Sequence, residues 1–269
     1  MHNKIKKVGL AAVQTAGDYA AKKYFVFKRS EAMFKQRKEI VTKVDLGSEK
    51  IIITAIKKNF PNANILSEES GEQNGDSGYL WVIDPIDGTT NFTIHNPLWA
   101  VSVGVFYNNE PIAGFIYAPV IKEMFTAYSG KGAFLNNKKI RISDAIKQKT
   151  IHTFCHGGRD IDISLAVDYY AKQKRSGLDC RQFGSASVDL AYVAAGRTES
   201  VVIPGAHSWD VAAGVLLVRE AGGIVTDFSG KDWNLKSENI IGANKIVFKE
   251  ILKNVKAITI NNIQTDDVK

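Results

Sequence analysis

In the first 60 residues of the chain, apolar residues recur at helical spacing. Short apolar runs, typical of strands, follow from residue 79 onwards. Apolar positions at helical spacing predict a first helix over residues 4–27 and a second over 42–59. A segment rich in Gly, Asn and Asp predicts a loop over 72–78, and the apolar run 79–83 predicts a buried strand. Residues 79–143 as a whole are expected to form a largely antiparallel sheet. Its further predicted strands cover 100–106, 112–117, 123–128 and 132–135.

Strand and helix signals alternate in the second half of the chain. The polar segment 143–150 predicts a boundary between two halves of one compact unit, residues 1–143 and 144–269. The strands predicted beyond it cover 150–155, 199–203, 224–226 and 239–242. The predicted helices cover 163–174, 185–195, 209–221 and 245–255. The polar residues after 261 predict a frayed tail.

The composition is that of an ordinary globular protein, with 269 residues, 45% hydrophobic and 23% charged. No apolar run approaches the roughly 18–20 residues of a membrane span, and the basic N-terminus lacks a signal-peptide core. Cys155 and Cys180 are too few for a disulfide framework and lack metal-site spacing. These features predict a soluble, cytoplasmic protein with reduced thiols and no membrane partner.

The net charge of +7 is spread unevenly. Residues 1–60 carry 14 Lys and Arg against 5 Asp and Glu, whereas residues 61–100 carry 6 Asp and Glu and no Lys or Arg. The lysines of the first block are typical of a solvated helical face. The acidic block lies among apolar residues and glycines, where carboxylates repel one another unless a cation binds. The acidic block therefore indicates a metal site.

The densest candidate chemistry is the segment 84–92, with the sequence DPIDGTTNF. Asp84 and Asp87 are three residues apart and can face one point, and Gly88 permits close approach of a ligand. The helix that follows offers free N–H groups for a phosphate oxygen, and a bridging cation would offset the repulsion between phosphate and carboxylates. All-oxygen ligands favour Mg²⁺ over Zn²⁺. For the bare Asp-x-x-Asp-Gly pattern, an ordinary capped loop is the alternative.

Four other acidic residues are ambiguous when taken singly. Glu68 and Glu69 fit an exposed loop equally well. Asp210 follows His207 at the beginning of an apolar helix, where a carboxylate also stabilises the helix dipole. Asp45 has no assignment of its own from the pattern.

Together, three segments resemble the inositol monophosphatase family. They are residues 68–72 (EESGE), 81–92 (WVIDPIDGTTNF) and 209–223 (WDVAAG through EAGG), in that order. The resemblance runs from Asp45 to residues 241–244, nearly the whole chain, and is closest to the bacterial branch. It implies an α/β (α+β) fold, the layered αβαβα sandwich shared with fructose-1,6-bisphosphatase.

The resemblance also implies a role for each candidate residue. The ligands for two to three Mg²⁺ ions would be four carboxylates and one carbonyl: Glu68, Asp84, Ile86, Asp87 and Asp210. The groups that activate the attacking water would be Glu68, Thr89 and Asp45, with Glu69 as a supporting carboxylate. The phosphate-binding segment would be Gly88, Thr89 and Thr90. The substrate contacts would be Asp87, Ser185, Ala186, Ile203, His207 and Asp210.

The implied activity is Mg²⁺-dependent hydrolysis of inositol-1-phosphate, with broad specificity, by a lithium-sensitive homodimer. Ile203 stands where animal members have a glutamate that binds an inositol hydroxyl, so we expect a weakened preference for inositol. The alternatives within the superfamily are a fructose-1,6-bisphosphatase and a phosphatase of NADP or nucleotide 3′-phosphates. An alternative of another class is a non-enzymatic RNA or transcription-complex factor, which the basic first block supports.

Overall fold

Seven helices and two large sheets make up residues 1–34, 40–146 and 149–266, which the computed structural model describes. The helices are α1 (His2–Tyr24), α2 (Lys43–Asn59), α3 (Thr89–Thr93), α4 (Asp160–Arg175), α5 (Ala186–Ala194), α6 (Ser208–Glu220) and α7 (Phe248–Asp266), with a 3₁₀ turn at Arg29–Glu31. The first strands are β1 (Met33–Phe34), β2 (Ile40–Val41), β3 (Asn64–Ser67), β4 (Gly71–Gln73), β5 (Tyr79–Asp87), β6 (Ala100–Tyr107), β7 (Glu110–Ala118) and β8 (Glu123–Tyr128). The others are β9 (Gly132–Leu135), β10 (Lys138–Ile140), β11 (Ile151–Phe154), β12 (Asp179–Arg181), β13 (Ser200–Pro204), β14 (Ile224–Thr226) and β15 (Asn239–Ala243).

The larger sheet has eight strands in the order β10-β9-β8-β7-β6-β5-β3-β4. It is antiparallel except for β3, which runs parallel to β5. The second sheet has five strands in the order β12-β11-β13-β15-β14, and β1 pairs with β2 in a separate ribbon. Because β3 and β5 are parallel neighbours with Ser67 beside Ile83, the residues that follow, Glu68 and Asp84, emerge at the same edge of the sheet.

The layers follow from the alternation of side chains along the strands. On β5, Trp81 and Ile83 pack in a cluster with α1 and α2, whereas Val82 packs in the cluster that contains α5 and α6. Helices α5 and α6 lie between the two sheets, and α4 and α7 cover the outer face of the five-stranded sheet. The result is the layered αβαβα sandwich that the resemblance implied. The division of the chain at residue 143 stays a prediction.

Strand β5 and the segment after β3 differ from the sequence prediction. The strand was expected to end at Asp84 but continues to Asp87, because an irregularity in its pairing with β6 places Asp87 opposite Ala100. The predicted loop 72–78 begins with part of β4, which forms a hairpin with β3. A strand this short has too few residues to show a period.

The C-terminal helix also differs from its prediction. Residues 245–247 form a turn and not the start of the helix, because the Asn244 side chain accepts hydrogen bonds from the N–H groups of Ile246 (3.0 Å) and Val247 (2.9 Å). Helix α7 runs to Asp266, where a frayed tail was expected, and Ile258 is buried against the five-stranded sheet. Residues 267–269 lie outside the described residues. None of the helices in the described ranges is both long and apolar enough to span a bilayer.

A buried histidine predicts acid sensitivity of the fold. His152 on β11 is almost fully buried, with Nδ1 2.7 Å from Ser200 Oγ and Nε2 3.0 Å from Thr150 Oγ1. Burial lowers the pKa of His152 to about 4, against an opposing contribution from the charge of Glu250. Because the unfolded chain binds the proton first, stability is complete above the unfolded pKa near 6.5 and is lost as pH falls towards 4.

We therefore expect the unfolding free energy of the wild type, relative to His152→Gln, to fall between pH 7 and pH 4. At 1.36 kcal/mol per pKa unit the loss is about 3 kcal/mol. Urea denaturation of both proteins across this range measures the difference. A difference that does not change with pH would contradict the assignment.

Candidate active site

An open pocket of about 410 Å³ lies where β5 ends and α3 begins. Acidic side chains, small backbone segments and the rings of His156, His207 and Trp209 form its wall. Nine residues named from the sequence line it: Glu68, Asp87, Gly88, Thr89, Thr90, Ala186, Ile203, His207 and Asp210. Of the other named residues, Asp45, Ile86 and Ser185 form hydrogen bonds with residues of this wall, and Asp84 accepts a hydrogen bond from Ile86. Glu69 follows Glu68 in the chain.

Thr89 connects the pocket to Asp45. The Thr89 hydroxyl oxygen lies 3.0 Å from Asp45 Oδ1 and 3.0 Å from the Ile86 carbonyl oxygen. Because a hydroxyl carries one proton, it donates to one of these acceptors at a time. Thr89 and Asp45 are 44 residues apart in the chain and form the pair that the family resemblance implied.

Asp45 has a second role as a capping residue of α2. Its Oδ2 accepts hydrogen bonds from the Thr42 N–H (2.8 Å) and the Thr42 hydroxyl (2.5 Å), and Thr42 Oγ1 accepts from the Val44 N–H. This reciprocal arrangement is a capping box, which holds a helix start in place. Burial raises the pKa of Asp45 to about 6, the hydrogen bonds from Thr42 and Thr89 oppose the rise, and the charge of Glu69 adds to it.

Asp84 lies at the centre of the acidic group. Its side chain is buried, and Oδ1 accepts a hydrogen bond of 3.0 Å from the Ile86 N–H. Burial raises the pKa of Asp84 well above its usual value, and neighbouring carboxylates raise it further: Glu68, Asp87, Asp210 and Asp45. The fold therefore brings together five carboxyl groups that are dispersed over 166 residues of sequence, from 45 to 210.

Asp87 is held by the beginning of α5. Its Oδ2 accepts hydrogen bonds from the Ser185 hydroxyl (2.7 Å) and the Ser187 N–H (2.5 Å), and its Oδ1 accepts from the Ala186 N–H (3.2 Å). Burial raises the pKa of Asp87, and these hydrogen bonds oppose the rise. Ser185 thus acts behind the pocket, through Asp87, and not at the pocket wall.

Asp210 caps α6 from within its first turn. Its Oδ2 accepts a hydrogen bond of 2.9 Å from the His207 N–H. The His207 ring stacks on Trp209, with ring centres 4.7 Å apart and planes at 10°. The two rings form one wall of the pocket, and Ile203, at the end of β13, gives it an apolar patch.

Gly88 is required by its surroundings. Its backbone has φ +91°, and a Cβ there would lie 3.0 Å from the Gly184 carbonyl oxygen and 3.2 Å from Ser185 Cβ. A side chain would both strain the backbone and push α5 away from Asp87. The absence of a side chain leaves the start of α3 open to the pocket.

The profile of the inositol monophosphatase family matches residues 1–259. The chain belongs to this family. It is 39% identical over 265 residues to "Nus factor SuhB" of Escherichia coli K12, covering 93% of this chain and 94% of that protein. It is 37% identical over 221 residues to a fructose-1,6-bisphosphatase/inositol-1-monophosphatase of Thermotoga maritima, covering 82% and 84%.

A solved structure shares the fold. The IMPase of Thermotoga maritima superposes with a TM-score of 0.87 at 31% identity, covering 97% of this chain and 99% of that one. The family is one of phosphatases that are generally metal-dependent. Membership therefore supports a phosphatase, and the choice of metal and substrate needs separate argument.

The carboxylates of the pocket surround Asp84 without forming a ready metal cage. Within the described ranges, no three His, Cys, Asp or Glu side chains already stand in the geometry of a metal site. The donor set is nevertheless chemically suitable, because it consists of carboxylates and the Ile86 carbonyl, the oxygen ligands that hard divalent cations take. The individual ligand assignments stay predictions.

The sequence patterns missed one side of the pocket. Residues 155–158 lie at the end of β11, and Ile40 belongs to the β1–β2 ribbon. The adjacency of β11 and β13 in one sheet, with both strands parallel, places 155–158 beside Ile203. This adjacency is a property of the assembled sheet and has no local signal in the chain.

The crowding around Asp84 predicts a stability penalty. Its raised pKa means that the folded state favours the protonated form, so its contribution to stability is complete at low pH and is lost as pH rises. Asp84→Asn keeps an oxygen that can accept from the Ile86 N–H but removes the charge. We expect this variant to melt at a higher temperature than the wild type at pH 8 in a chelating buffer.

The melting-temperature advantage of Asp84→Asn should shrink as the pH of the buffer is lowered, because a larger fraction of the wild-type carboxyl groups is then protonated. Thermal unfolding followed by circular dichroism at both pH values tests this. A variant that is less stable than the wild type at pH 8 would show that repulsion is not the dominant effect.

Proposed function

We propose that this chain is a Mg²⁺-dependent phosphomonoesterase that hydrolyses inositol-1-phosphate among other phosphomonoesters. The observation that carries the proposal is the Thr89–Asp45 hydrogen bond behind a pocket whose wall contains Glu68, Asp87 and Asp210. A hydroxyl linked to a buried base, beside a group of acidic oxygen ligands, is suited to hydrolysis by an activated water. Family membership supports the same reaction class.

The proposed cofactor ligands are the acidic groups and one carbonyl. Two to three Mg²⁺ ions would be held by Glu68, Asp84, the Ile86 carbonyl, Asp87 and Asp210. When bound, such ions lower the pKa of water and neutralise charge on the phosphate. Glu69 would support this group through its charge near Asp45.

The proposed proton path uses Thr89 and Asp45. When the Thr89 hydroxyl donates to Asp45 Oδ1, its oxygen is oriented to accept a proton from the attacking water. With a pKa of about 6, Asp45 is ionised at neutral pH and still basic enough to take the proton that Thr89 passes on. The capping box fixes the carboxylate in this position.

The remaining pocket residues would bind the substrate. The Gly88–Thr90 segment lines the pocket at the start of α3 and would contact the phosphate. Ala186, Ile203 and His207 would contact the alcohol part, with Asp87 and Asp210 as its polar surroundings. Ser185 would act on the substrate only through its hydrogen bond to Asp87. Ile203 offers no hydrogen-bond acceptor, so the pocket would take several alcohols.

The direct test is phosphate release from a substrate panel. Initial rates are measured with inositol-1-phosphate, fructose-1,6-bisphosphate, NADP and 3′-phosphoadenosine phosphate, each in Mg²⁺ and in chelator. We expect Mg²⁺-dependent turnover of inositol-1-phosphate and of at least one other substrate. The same assay with Li⁺ at limiting Mg²⁺ tests the proposed lithium sensitivity. Release that is absent for every substrate, or unchanged by chelation, would refute the proposal.

Removing the base should affect turnover more than binding. For Asp45→Asn we expect kcat to fall about 10²- to 10⁴-fold with little change in KM, the range that general-base catalysis supplies. The capping box also weakens, at a cost of about 1 kcal/mol, so kcat is compared at a temperature where both proteins are folded. Thr89→Ala serves as the partner variant and should lose a similar factor. A kcat within threefold of wild type in both variants would rule out this path.

Ile203 predicts a flattened substrate preference. Ile203→Glu would restore an acceptor for a substrate hydroxyl, a hydrogen bond to a charged group worth about 1.5–3 kcal/mol. We expect kcat/KM for inositol-1-phosphate to rise roughly ten- to hundredfold relative to an aryl phosphate. Ile203→Gln, which is similar in size and uncharged, is the control. If neither variant changes the ratio, the inositol hydroxyl does not reach this position.

The name of the Escherichia coli relative, Nus factor, favours a second candidate function in a transcription complex. The exposed lysines at the start of α1, Lys4, Lys6 and Lys7, would supply the RNA contacts. Titration with RNA at increasing salt concentration separates this candidate from the phosphatase, since Asp84→Asn should abolish hydrolysis and leave RNA binding intact. In either case we propose that the protein is a cytoplasmic homodimer. Sedimentation of the purified chain tests the oligomeric state.

A further inference from the structure

Glu49 on α2 is a buried carboxylate with no role in the reaction described above. It is 7% exposed, and one of its oxygens, Oε1, accepts three hydrogen bonds. The donors are the Ser67 hydroxyl (2.5 Å), the Ser70 N–H (3.0 Å) and the Ser70 hydroxyl (3.0 Å). A buried glutamate is costly unless its charge is compensated in this way. These contacts also fix a neighbouring segment of the chain.

They hold the turn that carries Glu68 and Glu69. Residues 68–70 form the turn between β3 and β4, and Ser67 pairs with Gly71 across it. Gly71 has φ +69°, the left-handed conformation that closes a three-residue hairpin turn. Glu49 Oε1 accepts hydrogen bonds from Ser67 and Ser70, which lie at the two ends of the turn. It therefore clamps the turn from the side of α2. On the other side, the Glu68 N–H donates to the Ile83 carbonyl (3.1 Å), next to Asp84.

Glu49 shares its face of α2 with two other contacts to the site. Asp45, Ser48 and Glu49 are at positions i, i+3 and i+4, which lie side by side on a helix. Asp45 accepts from Thr89, and the Ser48 hydroxyl donates to the Pro85 carbonyl at 2.8 Å. One turn of α2 therefore contacts the β3–β4 turn, the end of β5 and the start of α3. The first two of these segments carry the acidic residues of the pocket from the first half, and the third carries Thr89.

We propose that Glu49 is a positioning residue for Glu68, and that it sets the affinity of the site for divalent cations. The proposal rests on the proposed function insofar as Glu68 is taken as a cation ligand. Ligand oxygens need placement to within about 0.5 Å, and a three-residue turn without the clamp can move by more than that. Loss of the clamp should weaken cation binding without removing a ligand.

The experiment compares six forms of the full chain: the wild type, Glu49→Ala, Glu49→Gln, the double variant Ser67→Ala/Ser70→Ala, the triple variant Glu49→Ala/Ser67→Ala/Ser70→Ala, and Glu220→Ala. Glu220 is the matched control because its carboxylate likewise clamps a turn, accepting from the N–H groups of Gly130 (2.8 Å) and Gly132 (2.7 Å), away from the pocket. The readout is the Mg²⁺ concentration at the midpoint of the Mg²⁺-induced rise in melting temperature, without substrate. Phosphate release is measured separately.

We expect Glu49→Ala and the double serine variant each to raise the Mg²⁺ midpoint tenfold or more. Combining them should add little, because both remove the same clamp. Glu49→Gln should stay within about threefold of wild type, since its amide oxygen can accept the same hydrogen bonds. Glu220→Ala should lower the melting temperature and leave the Mg²⁺ midpoint unchanged.

Two results would overturn the positioning role. One is a midpoint for Glu49→Ala that moves no further than that of Glu220→Ala, and the other is a wild type whose melting temperature does not respond to Mg²⁺. Failure of the proposed function looks different. A wild type that binds Mg²⁺ through a Glu49-dependent site but releases no phosphate would refute the activity and leave the positioning role in place.

Discussion

Mutual repulsion among buried carboxylates is the constraint on which the structure of the site depends. Asp84 has four acidic neighbours, and burial adds to their effect on its pKa. The repulsion is offset by N–H groups at the starts of three helices, which donate hydrogen bonds to the carboxylates. Asp45 caps α2, Asp210 caps α6, and Asp87 accepts the first N–H groups of α5. Backbone N–H groups at a helix N-terminus carry partial positive charge, so each stabilises an anion without adding a cationic side chain that would compete for the ligands.

The same hydrogen bonds determine how the layers are joined. Helices α5 and α6 lie between the two sheets, and their N-terminal ends both reach the pocket. The acidic side chains on β5 therefore meet the helices of the second half end-on, at the edge where β3 and β5 finish. The hydrogen bonds to Asp87 therefore require that α5 is packed on the larger sheet.

Periodicity was sufficient to predict most of the helices and the longer strands, whereas the layered arrangement followed from the family resemblance. The segment 84–92 was sufficient to indicate a metal site. The helices α1, α2 and α6 are amphipathic or strongly apolar over three or more turns, which is long enough for a pattern to appear. Strands of two or three residues, such as β1, β4 and β12, have no such pattern, and the start of α7 depends on a side-chain turn at Asn244. Glu49 could not be identified from the sequence, because its serine partners lie 18 and 21 residues away and the contact exists only once β3 lies beside α2.

The hydrogen bonds between Asp87 and the start of α5 also bear on the order in which the protein acquires its structure during synthesis. The donors Ser185, Ala186 and Ser187 follow the acceptor, Asp87, by 98 to 100 residues in the chain. At typical ribosomal speeds of about 5–20 residues per second, the acidic segment leaves the exit tunnel several seconds before the helix that neutralises it. A nascent chain therefore carries the Asp87 carboxylate without these donors until residues 185–187 have been synthesised, and the hydrogen bonds that join β5 to α5 are among the later contacts to form.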